Sequence, residues 1–288
     1  MQWSLAARLS EKLTRLISHE TVDIPGVRWI AQPLYRRLFK RPAIGRNAYY
    51  GLYSSYAQAL ADVPAGAPGT YDTSAATKMY RNRLDNIRVS DYPVVYWLSR
   101  LLPGGVREVF DLGGHIGVTY YGLSRYLDYP SDLRWIIHDV PAVMQAGREW
   151  ALEHDPQRRL EFAASSDAAS GRDLLFTAGA LQYLDYTLPE LIAALPKPPR
   201  HVLVNMVPMH PSRSFFTLQN LGVATCPYRI AAVPEFIDAM HALGYEVIDR
   251  WESFERQLRI PFNEGVAVDR YYGFYFRRAD ASHDDANQ

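Results

Sequence analysis

The sequence predicts an α/β fold, a doubly wound and mostly parallel seven-stranded sheet preceded by an N-terminal helical cap. Two observations predict it. From residue 105 onward, short apolar runs alternate with helical segments, and the first run ends in an aspartate followed by a glycine-rich turn. Alternation of this kind places a crossover helix over the sheet between successive strands, so the strands run parallel and both faces are covered. With 288 residues, 48% of them hydrophobic and 22% charged, the chain can form one large domain with an appendage.

Residues 1–104 are predicted to be a helical cap or dimerisation region without strands. Apolar residues recur at helical spacing in three of its segments. The predicted helices span residues 3–18, 27–39 and 47–63. We expect the first helix to pack on its own domain or on a second subunit of a homodimer. Peripheral contact with a membrane surface is the alternative, and Trp3 and the basic run 36–41 favour it.

The sheet domain is predicted to span residues 105–278, and the polar residues 279–288 are predicted to be a disordered tail. Strands are predicted at 106–111, 133–138, 160–164, 173–177, 201–207, 244–250 and 270–277. Helices are predicted at 116–127, 141–154, 182–195 and 234–243. The last two strands follow one another without a clear helix, which indicates an antiparallel edge. Residues 208–232 are predicted to form a long loop at the ligand end of the sheet.

Charge and composition exclude several classes of protein. Lys plus Arg and Asp plus Glu both number 31, so no net field attracts the chain to nucleic acid. The single cysteine, Cys226, excludes an intrachain disulfide and a cysteine-based zinc site, and we expect it to be a small packed residue. The histidines are scattered without metal-ligand spacing, so no metal site is expected. No apolar run reaches the ~20 residues of a membrane span, and we expect a cytoplasmic protein.

The glycine-rich turn is predicted to hold a ligand. Asp111 ends the first strand, and Gly113, Gly114 and Gly117 follow at the start of a helix. Glycines allow the backbone to bend sharply and to approach a ligand closely, and the start of a helix presents unpaired N–H groups. The spacing matches neither the dinucleotide fingerprint G-x-G-x-x-G nor a phosphate-binding loop. Asp111 either faces the ligand or holds the turn through backbone N–H groups.

Asp139 ends the second predicted strand. Ligands of doubly wound sheets bind beyond the carboxyl ends of the strands, where the strand order reverses. A carboxylate at this position can accept hydrogen bonds from both hydroxyl groups of a ribose. The alternative is that Asp139 caps the helix that begins near Pro141.

Three segments carry a resemblance to a known family. The run from Asp111 to Gly117 (DLGGHIG) resembles the first motif of class I S-adenosylmethionine-dependent methyltransferases. Residues 138–143 (HDVPAV) and 178–184 (AGALQYL) are similar to segments of their small-molecule O-methyltransferase branch, and the resemblance covers about residues 100–278. The resemblance is nearest to a bacterial methyltransferase family associated with surface-polysaccharide biosynthesis, whose members share stretches like 216–220 and 226–230.

The resemblance implies a class I methyltransferase Rossmann-like fold and S-adenosyl-L-methionine as the cofactor. The three glycines of the turn would line its methionine part, Asp139 would bind the ribose, and Asp167 would face the adenine. The implied cofactor-binding residues are Asp111, Gly113, Gly114, His115, Gly117, Asp139, Asp167 and Gly179. Arg81 and Arg83 could reach the cofactor carboxylate, although solvated helix faces are the simpler interpretation. The acceptor would be a small molecule or saccharide-related compound.

One position departs from the family. Gln182 stands where the small-molecule O-methyltransferases carry a catalytic histidine, and an amide cannot accept a proton at neutral pH. His210, just after the fifth strand, is our candidate for the catalytic base because its unperturbed pKa of about 6.5 suits that role. His115 is a second candidate, and a lone loop histidine can also be merely solvated. The acceptor-binding candidates, each of which could instead serve packing, are Gln182, Tyr183, Gln219, Asn220, Tyr228 and Arg229.

The sequence therefore predicts a methyltransferase, and two other functions stay open. A binding or scaffold protein without turnover is one, because the usual catalytic histidine is missing at Gln182. A nicotinamide-dependent oxidoreductase is the other, and the spacing of the glycine turn disfavours it.

Overall fold

The computed structural model describes residues 28–40, 48–78, 83–263 and 265–279. The helix predicted for residues 3–18, residue Arg81 and residues 280–288 of the predicted tail lie outside these ranges.

Ten strands and seven helices lie within the described ranges. The strands are β1 Ala48–Tyr53, β2 Glu108–Leu112, β3 Arg134–His138, β4 Leu160–Phe162, β5 Leu174–Ala178, β6 His201–His210, β7 Phe215–Asn220, β8 Thr225–Ala232, β9 Tyr245–Ser253 and β10 Tyr271–Arg278. The helices are α1 Arg28–Phe39, α2 Tyr56–Ala61, α3 Tyr92–Leu101, α4 Val118–Leu123, α5 Pro141–His154, α6 Leu188–Ala194 and α7 Val233–Ala242.

The predicted seven-stranded sheet is confirmed. Its order is β4-β3-β2-β5-β6-β10-β9, and β2, β3, β4, β5 and β6 run parallel to one another. The predicted antiparallel edge is also present, because β10 pairs antiparallel with both β6 and β9. From β2 the chain builds β3 and β4 on one side and then returns to build β5 and β6 on the other. The strand order therefore reverses between β2 and β5.

Both faces of the sheet are covered, as a doubly wound fold requires. Successive residues of a strand point to opposite faces, so Val109 and Phe110 enter different apolar clusters. Phe110 packs with side chains of α6 and α7, such as Leu191 and Phe236, and Val109 packs with those of α3 and α4, such as Leu98. These two clusters fix the carboxyl ends of the central strands.

The helices of the sheet domain are present, some shorter than predicted. Helix α5 has the predicted bounds. Helix α4 begins only at Val118, because Gly117 has the left-handed φ of 98°. Helix α6 begins at Leu188 because Thr187 and Glu190 form a capping box, in which the Thr187 side chain binds the Glu190 N–H and the Glu190 carboxylate binds the Thr187 N–H. The segment before it is a short 3-10 turn.

The prediction that residues 1–104 contain only helices was wrong for 47–63. The first part of that segment is β1, which pairs antiparallel with β7, and only Tyr56–Ala61 is helical. Aromatic residues such as Tyr49 and Tyr50 favour strands, and pairing with a distant partner decides between strand and helix. The Ser55 side chain then accepts a hydrogen bond from the Gln58 N–H and starts α2.

The prediction that residues 208–232 form a loop was also wrong. They contain the end of β6 and the hairpin of β7 and β8, which turns at Gly222 with a φ of 81°. Strand β8 pairs parallel with the last two residues of β6, Met209 and His210. Strands β1, β7 and β8 thus extend the sheet at the carboxyl end of β6. None of the helices in the described ranges has the length and apolar character needed to cross a bilayer.

Candidate active site

A cavity of about 440 Å³ lies beyond the carboxyl ends of β2, β3 and β5 and beside Met206 in the middle of β6. It therefore occupies the point where the strand order reverses, which is where doubly wound sheets bind ligands. We call its two sides the glycine half and the tyrosine half. The glycine half consists of Asp111, Gly113, Gly114, His115 and Asp139. The tyrosine half consists of Tyr56, Tyr71, Tyr183, Met206 and Cys226.

The turn after β2 requires glycine at two consecutive positions. Gly113 has a φ of 77°, donates its N–H to the His138 carbonyl at 2.8 Å, and approaches Ala180 so closely that a Cβ would lie 2.2 Å from the Ala180 Cβ. A Cβ on Gly114 would lie 2.5 Å from Oδ2 of Asp111. Both positions line the cavity, and the absence of side chains allows the turn to pack directly against Ala180 and the Asp111 carboxylate.

The backbone is left-handed again at His115, which has a φ of 56°. A non-glycine residue adopts this conformation at a cost, and such strain concentrates at functional sites. The surroundings hold it in place, because the His115 N–H donates to Asp139 Oδ2 at 2.9 Å and the ring Nε2 lies 3.1 Å from the Ala76 carbonyl oxygen. Burial lowers the pKa of His115, which favours the neutral ring.

Asp139 is held in the cavity wall by two backbone groups. Its Oδ1 accepts the Val140 N–H at 2.7 Å and its Oδ2 accepts the His115 N–H at 2.9 Å. Each carboxylate oxygen has two lone pairs, so each can accept a further hydrogen bond from a ligand. The alternative role as helix cap was wrong: Asp72 Oδ1 accepts the Ala142 N–H of α5 at 2.8 Å instead.

Asp111 brings a buried carboxylate to the same wall. It is 1% exposed, its Oδ2 accepts the Trp135 Nε1–H at 2.9 Å, and its Oδ1 has no hydrogen-bond partner among the described residues. Burial raises its pKa to about 7, against the indole N–H, which lowers it. No backbone N–H of the turn binds this carboxylate among the described residues, so the alternative role of holding the turn was wrong. A buried acceptor without a partner is costly unless a ligand supplies a donor.

Three further residues of the implied cofactor set occupy different places. Gly179, with a φ of 69°, lines the cavity and donates its N–H to the Asn205 carbonyl at 2.9 Å. Gly117 does not line it and serves packing, because a Cβ there would lie 2.9 Å from Leu160 Cδ2. Asp167 lies in an exposed 3-10 turn outside the cavity lining, and Ala164 lines the cavity in this region.

The tyrosine half is a cluster of aromatic rings. The rings of Tyr71 and Tyr183 meet edge to face with centroids 4.7 Å apart, and the Tyr183 hydroxyl donates to Gln219 Oε1 at 2.7 Å. Tyr228 packs behind Tyr183 at 5.2 Å, and its hydroxyl shares a 2.9 Å hydrogen bond with Tyr271. Gln219 and Tyr228 therefore stand one layer behind the cavity and orient Tyr183, which lines it.

Met206 and Cys226 complete this half. Strand β6 bulges where two of its residues, Asn205 and Met206, stand opposite Gly273 of β10, and Met206 has a φ of 57°. The bulge places Met206 in the cavity wall beside Gly179. Cys226 is 3% exposed, and burial raises its pKa to about 12, so it remains a thiol.

Gln182, Asn220 and Arg229 do not line the cavity. Gln182 is 2% exposed and its Nε2 donates to the Gly179 carbonyl at 2.7 Å, so it supports the turn after β5. The Asn220 side chain donates to the Phe39 carbonyl at 3.0 Å and accepts the Gly222 N–H at 2.8 Å. The Arg229 side chain donates to the Asp185 carbonyl at 3.1 Å and stacks on Phe216. These contacts join elements of the fold.

The structure also places His210 outside the cavity lining. Its Nδ1 accepts the Ser212 N–H at 3.2 Å, so Nε2 carries the proton and faces the Gly265 carbonyl at 3.3 Å. Strand β6 continues three residues beyond its predicted end and carries His210 past the cavity to the pairing with β8. Both ring nitrogens are thus engaged away from the site.

Sequence reasoning missed the part of the wall that the N-terminal region supplies. Residues 68–76 lie across the cavity, where Thr70, Tyr71 and Ala76 line it. Three contacts hold this segment in place. The Thr225 N–H donates to the Pro68 carbonyl at 2.9 Å, and Asp72 Oδ1 accepts the Ala142 N–H at 2.8 Å. The Ala76 carbonyl oxygen lies 3.1 Å from the His115 ring Nε2. No local spacing signals these contacts, since each joins residues far apart in the chain.

A cluster of arginines was missed as well, apart from Arg83. Arg83, Arg88 and Arg256 all line the cavity, and Arg88 lies near enough to the other two guanidinium groups to feel their charge. Arg83 Nη2 forms a 2.6 Å salt bridge with Asp91 Oδ2, and Asp91 Oδ1 lies 3.3 Å from Asn205 Nδ2. Asp91 also lines the cavity and is buried.

Comparisons with known proteins give structural likeness only. No protein-family model matches the chain, and no curated protein matches it. The 1,6-didemethyltoxoflavin N1-methyltransferase of Burkholderia thailandensis, solved with its substrate and S-adenosylhomocysteine, is similar at 18% identity and a TM-score of 0.44, over 67% of this chain and 79% of that one. An O-methyltransferase family protein of the same organism has 20% identity and a TM-score of 0.43, over 66% of this chain and 57% of that one.

The magnesium protoporphyrin IX methyltransferase of Synechocystis PCC 6803, solved with bound S-adenosylhomocysteine, has 12% identity and a TM-score of 0.47, over 73% of this chain and 97% of that one. The fold class follows from the strand order of the sheet itself.

Proposed function

We propose that this chain is an S-adenosylmethionine-dependent methyltransferase that acts on a small-molecule acceptor, with oxygen as the methylated atom. The observation that carries the proposal is the glycine half. A side-chain-free turn, a carboxylate held by two backbone N–H groups and a buried carboxylate oxygen without a partner meet in one cavity at the switch point of the sheet.

The residues present suit this cofactor. Asp139 offers two fixed oxygen acceptors, which match the two hydroxyls of a ribose. Asp111 Oδ1 offers an acceptor for a cationic or N–H donor, such as the ammonium of an amino acid. Gly113 and Gly114 pack against Ala180 and Asp111, which keeps the backbone of the turn in the cavity wall.

When bound, S-adenosylmethionine supplies a methyl group activated by its sulfonium, so the protein needs mainly to align the acceptor and exclude water. Tyr71, Tyr183 and Met206 form the wall in which an acceptor would lie. Gln182 cannot accept a proton and here holds the Gly179 turn. A saccharide-related acceptor, a link to surface-polysaccharide biosynthesis, a homodimer and a cytoplasmic location belong to this proposal, and only the sequence resemblance and composition support them.

Calorimetry on the purified full chain tests the cofactor. We expect S-adenosylhomocysteine to bind with micromolar affinity and NAD not to bind. The variant Asp139→Asn should weaken S-adenosylhomocysteine about tenfold or more, because it removes a charged acceptor from the site. NAD binding in place of S-adenosylhomocysteine would favour the oxidoreductase.

Asp173→Asn is the matched control. Asp173 Oδ2 likewise accepts two backbone N–H groups, those of Arg107 at 2.8 Å and Glu108 at 2.9 Å, but at the amino end of β2. Both variants should lose similar thermal stability, and only Asp139→Asn should lose affinity. Equal affinities in the two variants would remove Asp139 from the cofactor site.

Turnover is tested by a screen with radiolabelled S-adenosylmethionine against carbohydrates, phenols and carboxylic acids. Label transferred to any of them identifies the acceptor class. Tight cofactor binding without transfer to any acceptor would instead favour a scaffold protein, the function that Gln182 keeps open.

A further inference from the structure

Helix α1 carries apolar side chains on its outward face as well as on its inward face. Inward, Tyr35 and Phe39 are buried in the apolar cluster that α1 shares with β1. Outward, Trp29 is 73% exposed, Ile30 57% and Leu34 40%. A surface helix ordinarily turns polar residues to water, and large apolar side chains grouped on an exposed face mark an interaction surface. The outward face of α1 therefore has the composition of a binding surface.

The charged residues that border these apolar side chains are basic. Helix α1 contains no acidic residue, and Arg36, Arg37 and Lys40 are exposed at its carboxyl end. Asp62 pairs with Lys40 at 3.1 Å and lies 4.0 Å from Arg36, whereas no salt bridge with a described residue involves Arg37. Arg37 follows Leu34 by three residues, so the two side chains are neighbours on the same face. The outward face thus combines apolar contact area with positive charge.

An anionic lipid bilayer offers a partner for both features at once. Tryptophan and aliphatic side chains enter the boundary between headgroups and acyl chains, and basic side chains bind the lipid phosphates. A second copy of this chain fits the same face less well. In a two-fold dimer each surface patch meets its own copy, so the basic residues of α1 would approach one another without an acidic residue of the helix between them.

We propose that the outward face of α1 binds the surface of an anionic lipid bilayer. Trp29, Ile30 and Leu34 enter the headgroup region, and Arg37 binds lipid phosphate. None of these residues lines the cavity, so this inference goes beyond the proposed function and does not depend on it.

Sedimentation of the purified full chain with sucrose-loaded vesicles tests this surface. One set of vesicles is phosphatidylcholine alone, and the other also contains phosphatidylglycerol. We expect the chain to bind the anionic vesicles about tenfold more tightly, and added salt to weaken that binding because it screens the basic side chains. The double variant Trp29→Ser, Ile30→Ser should weaken binding about tenfold or more, and Arg37→Gln about fivefold.

The matched controls lie on helix α5. Leu152 is 87% exposed, and Arg148 is exposed as well. Leu152→Ser and Arg148→Gln therefore make the same kinds of change away from α1, and both should bind vesicles like wild type. Thermal denaturation verifies that each variant is folded. If the double variant is unfolded, Trp29→Tyr takes its place and should weaken binding about threefold, because the smaller ring buries less apolar area.

Three results would overturn the proposal. The first is a wild-type chain that binds neither kind of vesicle, or both equally. The second is vesicle binding that the α1 variants leave unchanged and that Leu9→Ser with Leu13→Ser abolishes, because the membrane contact would then belong to residues 3–18. The third is a dimer in analytical ultracentrifugation that the Trp29→Ser, Ile30→Ser variant converts to a monomer, without vesicle binding by the wild type. That result would assign the outward face of α1 to a second copy of the chain.

Discussion

The two halves of the cavity are built in different ways. The glycine half comes from two short stretches, the turn after β2 and the end of the adjacent strand β3, which parallel pairing places side by side. The tyrosine half comes from four stretches far apart in the chain: the N-terminal region, the turn after β5, the bulge of β6 and the hairpin strand β8. Local geometry therefore forms the glycine half, whereas tertiary contacts assemble the tyrosine half.

This difference suggests a division of labour. A half made by strand ends and a glycine turn has little freedom to change without losing the fold, which suits a constant ligand such as a cofactor. A half made from separate loops and rings can change its shape while the sheet stays the same, which suits a specific acceptor. The substitutions below should therefore separate cofactor affinity from acceptor recognition.

The largest loss of S-adenosylhomocysteine affinity is expected from Gly113→Ala. The new Cβ would lie 2.2 Å from the Ala180 Cβ, at a φ of 77° that alanine adopts only with strain, so the turn or the segment after β5 must shift. We expect S-adenosylhomocysteine affinity to fall by roughly a hundredfold, equivalent to about 3 kcal/mol, and the melting temperature to fall as well.

Gly171→Ala separates the effect of backbone strain from the effect of the clash with Ala180. Gly171 has a φ of 76°, but nothing lies within 4 Å of a Cβ there, and it does not line the cavity. That variant should lose about 1–2 kcal/mol of stability from the backbone alone and keep its cofactor affinity. Equal stability losses in the two variants would mean that the contact with Ala180 does not constrain the turn.

The next largest effect is a change in the free energy of unfolding with pH, which depends on Asp111. The folded pKa of about 7 lies above that of an unfolded aspartate, so the folded chain retains a proton between about pH 4 and pH 7 that the unfolded chain has lost. The contribution of the Asp111 carboxyl group to the free energy of unfolding is therefore complete below about pH 4 and declines as pH rises to 7. Chemical denaturation at pH 5 and pH 8 should show that Asp111→Asn lacks this decline, a difference of roughly 3 kcal/mol relative to wild type. Parallel pH profiles of the two proteins would contradict the raised pKa.

The sequence predicted the glycine half because its information is local. An aspartate, glycines at short spacing and a second aspartate at the end of the next strand can be recognised without knowing the fold. The seven strands and α5 were predictable for the same reason, from apolar runs and helical spacing. The reason why position 113 requires glycine could not be predicted, because it is the close approach of Ala180, which lies far away in the sequence.

Of the tyrosine half only Tyr183 was predicted, because the positions of its other residues depend on contacts between distant segments. Residues 47–63 have helical spacing, and pairing of β1 with β7 makes the first part a strand. Gln219, Asn220 and Tyr228 were expected at the acceptor, but β7 and β8 form a hairpin that directs them into the packing behind the wall. Tyr71 and Arg256 had no local signal and nevertheless line the cavity.

A smaller effect is expected from Tyr183→Phe, which tests the tyrosine half alone. It removes the 2.7 Å hydrogen bond to Gln219 Oε1 but keeps the ring in place. We expect the KM for the acceptor found in the screen to rise about threefold to tenfold, with S-adenosylhomocysteine affinity unchanged. Tyr129→Phe is the control, because it also loses one hydroxyl bond, to the Tyr120 carbonyl at 2.8 Å, outside the cavity lining. A loss of cofactor affinity in Tyr183→Phe would show that the two halves are not independent.

The smallest effect is expected from His210→Ala, and it decides whether the end of β6 belongs to either half. The ring binds the Ser212 N–H and faces the Gly265 carbonyl, outside the cavity lining, so its removal should cost less than about 1 kcal/mol of stability. With the acceptor from the screen, kcat should stay within about twofold of wild type, and the pH profile of kcat should keep its shape. A fall of about a hundredfold or more would require His210 to reach the acceptor, and therefore a rearrangement of the β6 end and the 265–268 segment when substrate binds.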